Sequence, residues 1–304
     1  MCGIAGLLDP ERRFAPAALA EVVGRMADTL RHRGPDGAGV WADPAAGMAL
    51  GHRRLAIIDL TATGSQPMVS ASGRYCLVLN GEIYNHAALR RELPDGGTQL
   101  RGHSDTEVLL ATIEQRGLER ALAAAVGMFA FALWDRRSRT LSLARDHLGQ
   151  KPLFFGRIGS TFAFASELKA LAAHPEFRPE VDRGALVLFL RHQYVPAPHT
   201  IWRDVYKLPA GSLLRFSLEE GARAEVDLLG RIERYWCLRT VAERGQDAAA
   251  RVHERDALQR LDQLLNQAVR DCMVADVPVG AFLSGGIDSS LVTALMQRHA
   301  ARPV

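Results

Sequence analysis

Two alternating apolar runs, Met-Phe-Ala-Phe-Ala-Leu-Trp at 128–134 and Thr-Leu-Ser-Leu-Ala at 140–144, are separated only by the polar link 135–139. That spacing predicts a β-hairpin, because strands joined by so short a link pair antiparallel. Further strand-like runs lie at 55–60 (Leu-Ala-Ile-Ile-Asp-Leu), at 75–80 (Tyr-Cys-Leu-Val-Leu-Asn) and at 162–165 (Phe-Ala-Phe-Ala). The last of these follows a turn signal, Arg-Ile-Gly-Ser at 157–160. Apolar residues at helical spacing predict helices over 17–30 (Leu19, Val22, Val23, Met26, Leu30) and 106–116 (Val108, Leu109, Ile113). Strands and helices that do not alternate strictly predict an α+β layered domain.

The pattern changes late in the chain. A boundary is expected after the run Leu-Pro-Ala-Gly-Ser-Leu-Leu-Arg at 208–215, followed by a charged, alanine-rich stretch over 219–256. Asp256, with Gln259 three residues on, then reads as the cap of a helix whose apolar face is Leu258, Leu261, Leu265, Val269 and Cys272. An apolar run at 277–283 reads as a strand, Ser-Gly-Gly-Ile-Asp-Ser-Ser at 284–290 as a glycine loop, and Leu291, Leu295 and Met296 as one face of a second helix. Strand, glycine loop, helix is the opening of an α/β nucleotide-binding sheet. The sequence stops at Val304, about one helix later, so this second domain reads as incomplete, either a fragment or a vestigial region.

Composition narrows the function classes. With 304 residues and 48% hydrophobic side chains, the chain can bury the core of one large domain or two ordinary ones. A net charge of +3 is too small at this size to argue for nucleic acid or a membrane surface as partner. The apolar stretch 121–134 is shorter than the roughly 18 to 20 residues of a membrane span, and no basic-then-apolar leader opens the chain. The cysteines, Cys2, Cys76, Cys237 and Cys272, make no Cys-x-x-Cys pair, and no histidine pair has metal-ligand spacing, so no protein-held metal is expected. A cytoplasmic enzyme with reduced thiols is the reading, with Cys76, Cys237 and Cys272 as core residues.

The chemistry begins at Cys2. Initiator methionine is removed readily before a small residue, which would leave Cys2 with a free α-amino group beside its thiol. An α-amine has a pKa near 7.7 to 8.0, so one residue then carries nucleophile and base. Gly3 and Gly6 let the backbone pass close to a substrate. Four short loops supply the rest: His-Arg-Gly-Pro-Asp-Gly at 32–37, Arg54 at the head of the 55–60 run, Asn80-Gly81 at the end of the 75–80 run, and Asp105 just before a helix. Each alone reads as a turn, a surface arginine, a hairpin or a helix cap. Together they suit amide hydrolysis: the Asn80 amide and Gly81 N–H can stabilise an oxyanion, Arg54 can pair with a carboxylate, and Asp105 can take an ammonium. Glutamine is the small amide with both ends charged. The 284–290 loop lacks the Gly-Lys-Ser/Thr ending of a Walker A loop, yet its glycines, its serine hydroxyls and the following helix N-terminus suit phosphate.

These ordered motifs resemble those of the glutamine-hydrolysing asparagine synthetases. The resemblance runs through Met-Cys-Gly-Ile at 1–4, Arg-His-Arg-Gly-Pro-Asp at 31–36, Arg-Leu-Ala-Ile at 54–57, Asn-Gly-Glu-Ile-Tyr-Asn-His at 80–86 and Gly-Met-Phe-Ala-Phe-Ala at 127–132. It continues through Arg-Asp-His-Leu-Gly-Gln-Lys-Pro-Leu at 145–153, Phe-Ala-Ser-Glu-Leu-Lys-Ala-Leu at 164–171 and the 284–290 loop. It implies a four-layer αββα glutaminase domain of the N-terminal-nucleophile hydrolase fold, followed by the beginning of an α/β pyrophosphate-loop (adenine nucleotide hydrolase-like) domain. The expected division is 1–216 for the class II glutamine amidotransferase domain, 217–255 for a connecting segment and 256–304 for the truncated ATP-binding domain.

By resemblance Cys2 is the nucleophile, and Asn80 and Gly81 form the oxyanion hole. Arg54, Leu55, Ala56, Ile57, Ile58, Asn80, Gly81, Glu82 and Asp105 hold glutamine. Leu283, Ser284, Gly285, Gly286, Asp288, Ser289 and Ser290 hold ATP and its pyrophosphate, with Leu283 against the adenosine and Asp288 near the phosphates and Mg2+. The Arg145-Asp146 and Ser166-Glu167 pairs read as loop-ordering. The implied reaction passes ammonia from glutamine to an ATP-adenylated aspartate, giving asparagine, AMP and pyrophosphate. A homodimer is compatible with the resemblance, because dimers are common in that family.

Three other readings compete with it. One is a related amidotransferase with another carboxylate acceptor, another a fragment with glutaminase activity alone. The third, non-enzymatic, is a glutamine- or nucleotide-binding module. The glutaminases of purine and glucosamine synthesis lack the Ser-Gly-Gly-x-Asp-Ser loop, and β-lactam synthetases lack the N-terminal cysteine.

Overall fold

The computed structural model describes residues 1–221, 226–247 and 253–304. Its described strands are β1 (Gly3–Leu8), β2 (Gly37–Asp43), β3 (Met48–Arg54), β4 (Met68–Val69), β5 (Tyr75–Ile83), β6 (Gly127–Asp135), β7 (Thr140–Arg145), β8 (Phe154–Ile158), β9 (Thr161–Ala165), β10 (Val205–Lys207), β11 (Ser212–Ser217) and β12 (Ile232–Arg234). The helices are α1 (Pro16–Asp28), α2 (His86–Arg91), α3 (Asp105–Arg116), α4 (Leu118–Ala124), α5 (Leu168–Ala172), α6 (Arg183–His192), α7 (Leu218–Gly221), α8 (Leu238–Asp247), α9 (Glu254–Asp271) and α10 (Ile287–His299). The chain divides into a first unit, Met1–Ala56 with Thr61–Cys237, and a second, Ile57–Leu60 with Leu238–Val304.

In the first unit two antiparallel six-stranded sheets stack, ordered β10-β8-β9-β1-β3-β2 and β12-β11-β7-β6-β5-β4. The period-two alternation of strand side chains builds the layers. On β1, Ile4 and Leu8 join Val78, Ala132 and Trp134 in the core between the sheets. Ala5 and Leu7 instead meet Leu19, Val22, Val23 and Met26 of α1 and Ala170 and Leu171 of α5. On β6, Ala130, Ala132 and Trp134 face the other sheet, while Phe129, Phe131 and Leu133 meet Val108, Leu109 and Ile113 of α3. Helix, sheet, sheet, helix is the αββα arrangement expected, and the 128–144 hairpin is its β6–β7 pair. α1 starts with proline at its first position, where no N–H is needed. α3 is capped by Ser104, whose hydroxyl accepts from the Thr106 N–H.

Several expectations are corrected. Residues 55–60 form no strand. The pairing partners run out where β3 ends: Gly3 of β1 sits opposite Arg53 and Gly37 of β2 opposite Arg54. Arg54 is therefore the tail of a strand rather than the head of one. Asn80 and Gly81 lie within β5 rather than at a turn, because β6 runs alongside as far as Gly127 opposite Ile83. The segment read as a connector from 217 contributes β12, which pairs with β11, and His147 packs edge-on against Tyr235 and Trp236. Of that segment, 222–225 and 248–252 lie outside the described residues.

The second unit holds α8, α9 and α10. α9 is capped at His253, so Asp256 sits inside its first turn instead of capping it. The run 277–283 is not a strand. Strand N–H and C=O groups need a neighbour, and the described elements of this unit are helices. Of the expected strand, glycine loop and helix, the described residues show the loop and the helix that follows it, without a strand. The expected apolar face of α9 is largely solvent-facing, with Leu258 and Leu261 exposed. Cys76 is buried, but Cys237 is half-buried and Cys272 exposed, so the core assignment holds for Cys76 alone. Among the described residues no helix is long and apolar enough to cross a membrane.

Candidate active site

Strand register brings the site together. With Gly3 opposite Arg53, Cys2 falls opposite Arg54, at the open end of the β1–β3 pair. The Cys2 Sγ receives the Leu55 N–H at 3.4 Å and lies 3.6 Å from the Leu55 carbonyl oxygen. Asp36 locks this turn: its N–H donates to the Arg54 carbonyl, and its carboxylate accepts from Ala56 N–H, both at 2.9 Å. Gly34 is obligatory here, since a Cβ would meet the Arg53 carbonyl carbon at 2.3 Å and the Arg54 nitrogen at 2.5 Å. Arg33 donates from Nε to the Cys2 carbonyl at 2.9 Å and from Nη1 to Glu167 at 2.9 Å. Burial opposes the Glu167 charge, yet Arg33, His32 and Lys169 hold its carboxyl down to about 2. Ser166 Oγ accepts from the Ile4 N–H at 3.0 Å. The loop pair 166–167 therefore anchors the start of β1.

The second wall is the free edge of β5. β4 pairs only with Leu77 and Cys76, so β5 from residue 79 onward has no strand on that side. Antiparallel strands point alternate N–H groups to opposite sides. On the open side, Leu79 N–H donates to Gln66 Oε1 at 2.6 Å and Ile83 N–H to Asp105 Oδ2 at 2.8 Å. By the same alternation the Gly81 N–H points off this edge, between those two. Gly81 must be glycine, because a Cβ would lie 2.2 Å from the Met128 carbonyl oxygen.

The Asn80 side chain shares its face with Cys76 and Val78, toward the other sheet. It is wholly buried, and among the described residues neither its Nδ2 nor its Oδ1 has a hydrogen-bond partner. An amide left this way costs about 1–3 kcal/mol, a cost that a substrate oxygen can relieve. His52, tied through Nε2 to the Leu79 carbonyl at 3.1 Å, joins the two sheets beside it. Burial pushes His52 down to about 4, so it is neutral near pH 7.

Burial pushes the Cys2 thiol up, while the Leu55 backbone and the N-terminal charge pull it down, and Asp105 and Arg54 are both felt there. Burial also raises Asp105, whose two oxygens accept from Ile83 and Thr106 N–H groups. Glu82 is raised by burial and by Asp105, and lowered by Lys151 and the N-terminus. Cys76, pushed up to about 12 by burial, is inert at neutral pH.

Cys2, Arg54, Leu55, Glu82 and Asp105 therefore share one electrostatic neighbourhood, and Ala56 belongs to the same turn. Ile57 and Ile58 do not join it through any hydrogen bond to Cys2. They fall in the second unit, where the Asp276 N–H donates to the Ile57 carbonyl at 2.8 Å. Sequence reasoning missed Lys151. It is buried, and the turn that carries it is built by the loop-ordering pair: Arg145 donates to the carbonyls of Lys151, Gly149 and Leu208, and Asp146 accepts from Lys151 and Gln150 N–H groups. The one available signal was a lysine inside a motif otherwise made of turn formers.

The residues of the 284–290 loop belong to the second unit. Ser284 N–H and Oγ meet Ser289 Oγ at 3.3 and 2.9 Å, Gly285 adopts φ +79°, and Gly286 caps α10. Leu283 is 62% exposed.

Comparison with known proteins bears on the family and the fold. The family described as "Glutamine amidotransferase domain" matches residues 1–236, and that described as "Asparagine synthase" matches 260–304. "Asparagine synthetase [glutamine-hydrolyzing] 3" of Bacillus subtilis is 37% identical over 303 residues, 98% of this chain and 46% of the relative. "Asparagine synthetase B [glutamine-hydrolyzing]" of Escherichia coli is 34% identical over 307 residues, 100% of this chain and 46% of the relative. The chain thus spans about half the length of the curated relatives it matches. Among solved structures, glutamine phosphoribosylpyrophosphate amidotransferase from B. subtilis superposes with a TM-score of 0.53 at 21% identity, covering 77% of this chain and 49% of that one. That likeness places the first unit in the N-terminal-nucleophile hydrolase fold.

Proposed function

We propose, from the premise that this chain belongs to the glutamine amidotransferase domain family over residues 1–236, that its first unit hydrolyses glutamine at Cys2. The observation that carries this is the buried, unpartnered Asn80 amide beside the open edge of β5, on the sandwich face that also holds the start of β1. The amine freed by removal of Met1 takes the thiol proton, and the sulphur adds to the glutamine side-chain carbonyl. Charge on the carbonyl oxygen is met by Asn80 Nδ2 and Gly81 N–H. Collapse breaks the C–N bond, the α-ammonium returns its proton to the leaving nitrogen, and ammonia departs. Water then cleaves the γ-glutamyl thioester and releases glutamate. Arg54 takes the glutamine carboxylate, Asp105 and Glu82 its ammonium, and the turn at Leu55 and Ala56 packs along it.

The ammonia then passes to an aspartate activated by ATP, giving asparagine, AMP and pyrophosphate. The loop residues fit an anionic ligand: a Cβ on Gly285 would meet nothing within 4 Å, and α10 presents its N-terminus. Leu283, Ser284, Gly285, Gly286, Asp288, Ser289 and Ser290 would hold ATP, which when bound supplies the adenylyl group. No three His, Cys, Asp or Glu among the described residues form a metal-holding group, so Mg2+ would be carried by the phosphates next to Asp288. A cytoplasmic enzyme, with a homodimer as its assembly, completes the reading.

The test is glutamate release from glutamine by the purified chain, with intact mass to establish whether Met1 is gone. Release that scales with the processed fraction is the expected result, and well-folded, processed protein that releases none overturns it. Arg54→Ala should raise the half-saturating glutamine concentration about tenfold or more with a smaller change in kcat, because a carboxylate-binding arginine contributes to ground state and transition state alike. An equal fall in kcat and kcat/KM would place Arg54 at the reacting carbonyl instead.

A further inference from the structure

Lys151 has no part in the steps above, yet its ammonium is buried at the reacting end of the site. The residue is 4% exposed. Its backbone is held at both ends, N–H to Asp146 Oδ2 at 3.0 Å and carbonyl to Arg145 Nε at 2.7 Å, so the turn fixes where the side chain starts. Among the described residues, the atom within hydrogen-bond distance of Nζ is the Met1 thioether sulphur, at 3.0 Å. A thioether is a weak acceptor for an ammonium, so this partner does not explain why a charge is buried here.

The charged neighbours point to what the ammonium serves. Burial pushes the Lys151 ammonium down, and the charges it feels are those of Glu82 of β5, Arg33 of the loop before β2, Asp146 of its own turn and the Cys2 thiol. The N-terminal amine is pushed down first by burial, and it feels the charges of the Cys2 thiol, Arg33, Lys151 and Glu82. Both groups therefore lie in one cluster. Loss of Met1 removes the sulphur and transfers the α-amino group to the Cys2 nitrogen, two bonds from the former Met1 Cα.

We propose that Lys151 is a positioning residue of the glutaminase site, its ammonium facing the α-amino group of processed Cys2 beside Glu82 and keeping that amine in its neutral, proton-accepting form. This rests on the reading of Cys2 given above. Lys151 itself neither gains nor loses a proton: the amine takes one from the thiol as the C–S bond forms and gives it to the leaving nitrogen as the C–N bond breaks. A fixed positive charge disfavours the α-ammonium. Arg33 acts in the same direction, while Glu82 and the thiolate oppose it.

The experiment separates this from the functional reading. On a Cys2→Ala background, where sulphur cannot relay an acyl group, competitive acetylation of the α-amine is followed against pH by mass spectrometry of the N-terminal peptide. Lys151→Met should move the midpoint up by about one pH unit, and Lys151→Arg should leave it within a few tenths. With Cys2 present, the acidic limb of kcat/KM for glutamine should move by the same amount. An unchanged acetylation midpoint in Lys151→Met overturns the proposal, even if activity falls at every pH. Lys151→Gln carries the same comparison if the methionine variant does not fold. Wild-type protein inert toward glutamine would sink the functional reading and leave the acetylation result to decide the role of Lys151.

Discussion

Cys2→Ala is expected to abolish glutamate release while leaving the melting temperature within a few degrees of wild type. The loss follows because no other group can form the thioester. Cys76 is sealed in the core with its thiol pushed up to about 12, Cys237 lies just after β12 with its sulphur 3.9 Å from Arg234 Nη1, and Cys272 belongs to the second unit. Removing a nucleophile typically costs on the order of 10⁶-fold in kcat, so activity should fall below detection. The stability change should be small. The thiol makes two long contacts to Leu55, at 3.4 and 3.6 Å, and deleting one partly buried sulphur costs roughly 1 kcal/mol. The comparison is glutamate release per processed chain beside thermal melts of both proteins. Full activity in the variant would remove Cys2 from the mechanism, and an unfolded variant would make it a packing residue. Retained Met1 should act as a chemical version of the same mutation, because the Cys2 nitrogen is then an amide and accepts no proton.

The layers and the chemistry of the first unit were legible in the sequence for different reasons. The 128–144 hairpin and the helix over 17–30 announce themselves by period, because each side chain on β6 and α1 is committed to one face. What period does not report is where a neighbour stops. The run 55–60 has strand composition but no strand beside it once β1 and β2 end, and the run 277–283 fails for the same reason. The short β4 is what leaves the Gly81 N–H pointing off the edge of β5, and two paired residues at 68–69 leave almost no trace in composition. Lys151 escaped because its burial depends on Asp146 folding the preceding turn under Phe129, whose N–H also reaches Asp146 Oδ2, at 3.2 Å. Cys2, Arg54 and Asp105 were legible because residue type and spacing alone suggested a nucleophile, a cation and an anion for one substrate.

Asn80→Ala separates a binding role from a structural one, because the two predict opposite signs for stability. As an oxyanion donor, its loss should lower kcat about 10²- to 10³-fold, with little change in half-saturating glutamine, since the charge it meets exists only in the transition state. As a structural residue its loss should destabilise, as deletion of a satisfied buried amide does. In this fold both polar atoms of Asn80 are buried without a partner among the described residues. The resting protein therefore carries a desolvated amide costing about 1–3 kcal/mol, partly offset by the packing its atoms supply. Alanine removes the cost along with the packing, so the melting temperature should be unchanged or higher while turnover collapses. Asn80→Asp should be worse for turnover than alanine, because an ionised carboxylate only accepts hydrogen bonds and would stand near Glu82 and Asp105 as a third acid. Steady-state kinetics and thermal melts of the three proteins decide it. A destabilised Asn80→Ala variant with near-normal turnover would return Asn80 to the scaffold and leave the Gly81 N–H as the remaining donor for the oxyanion.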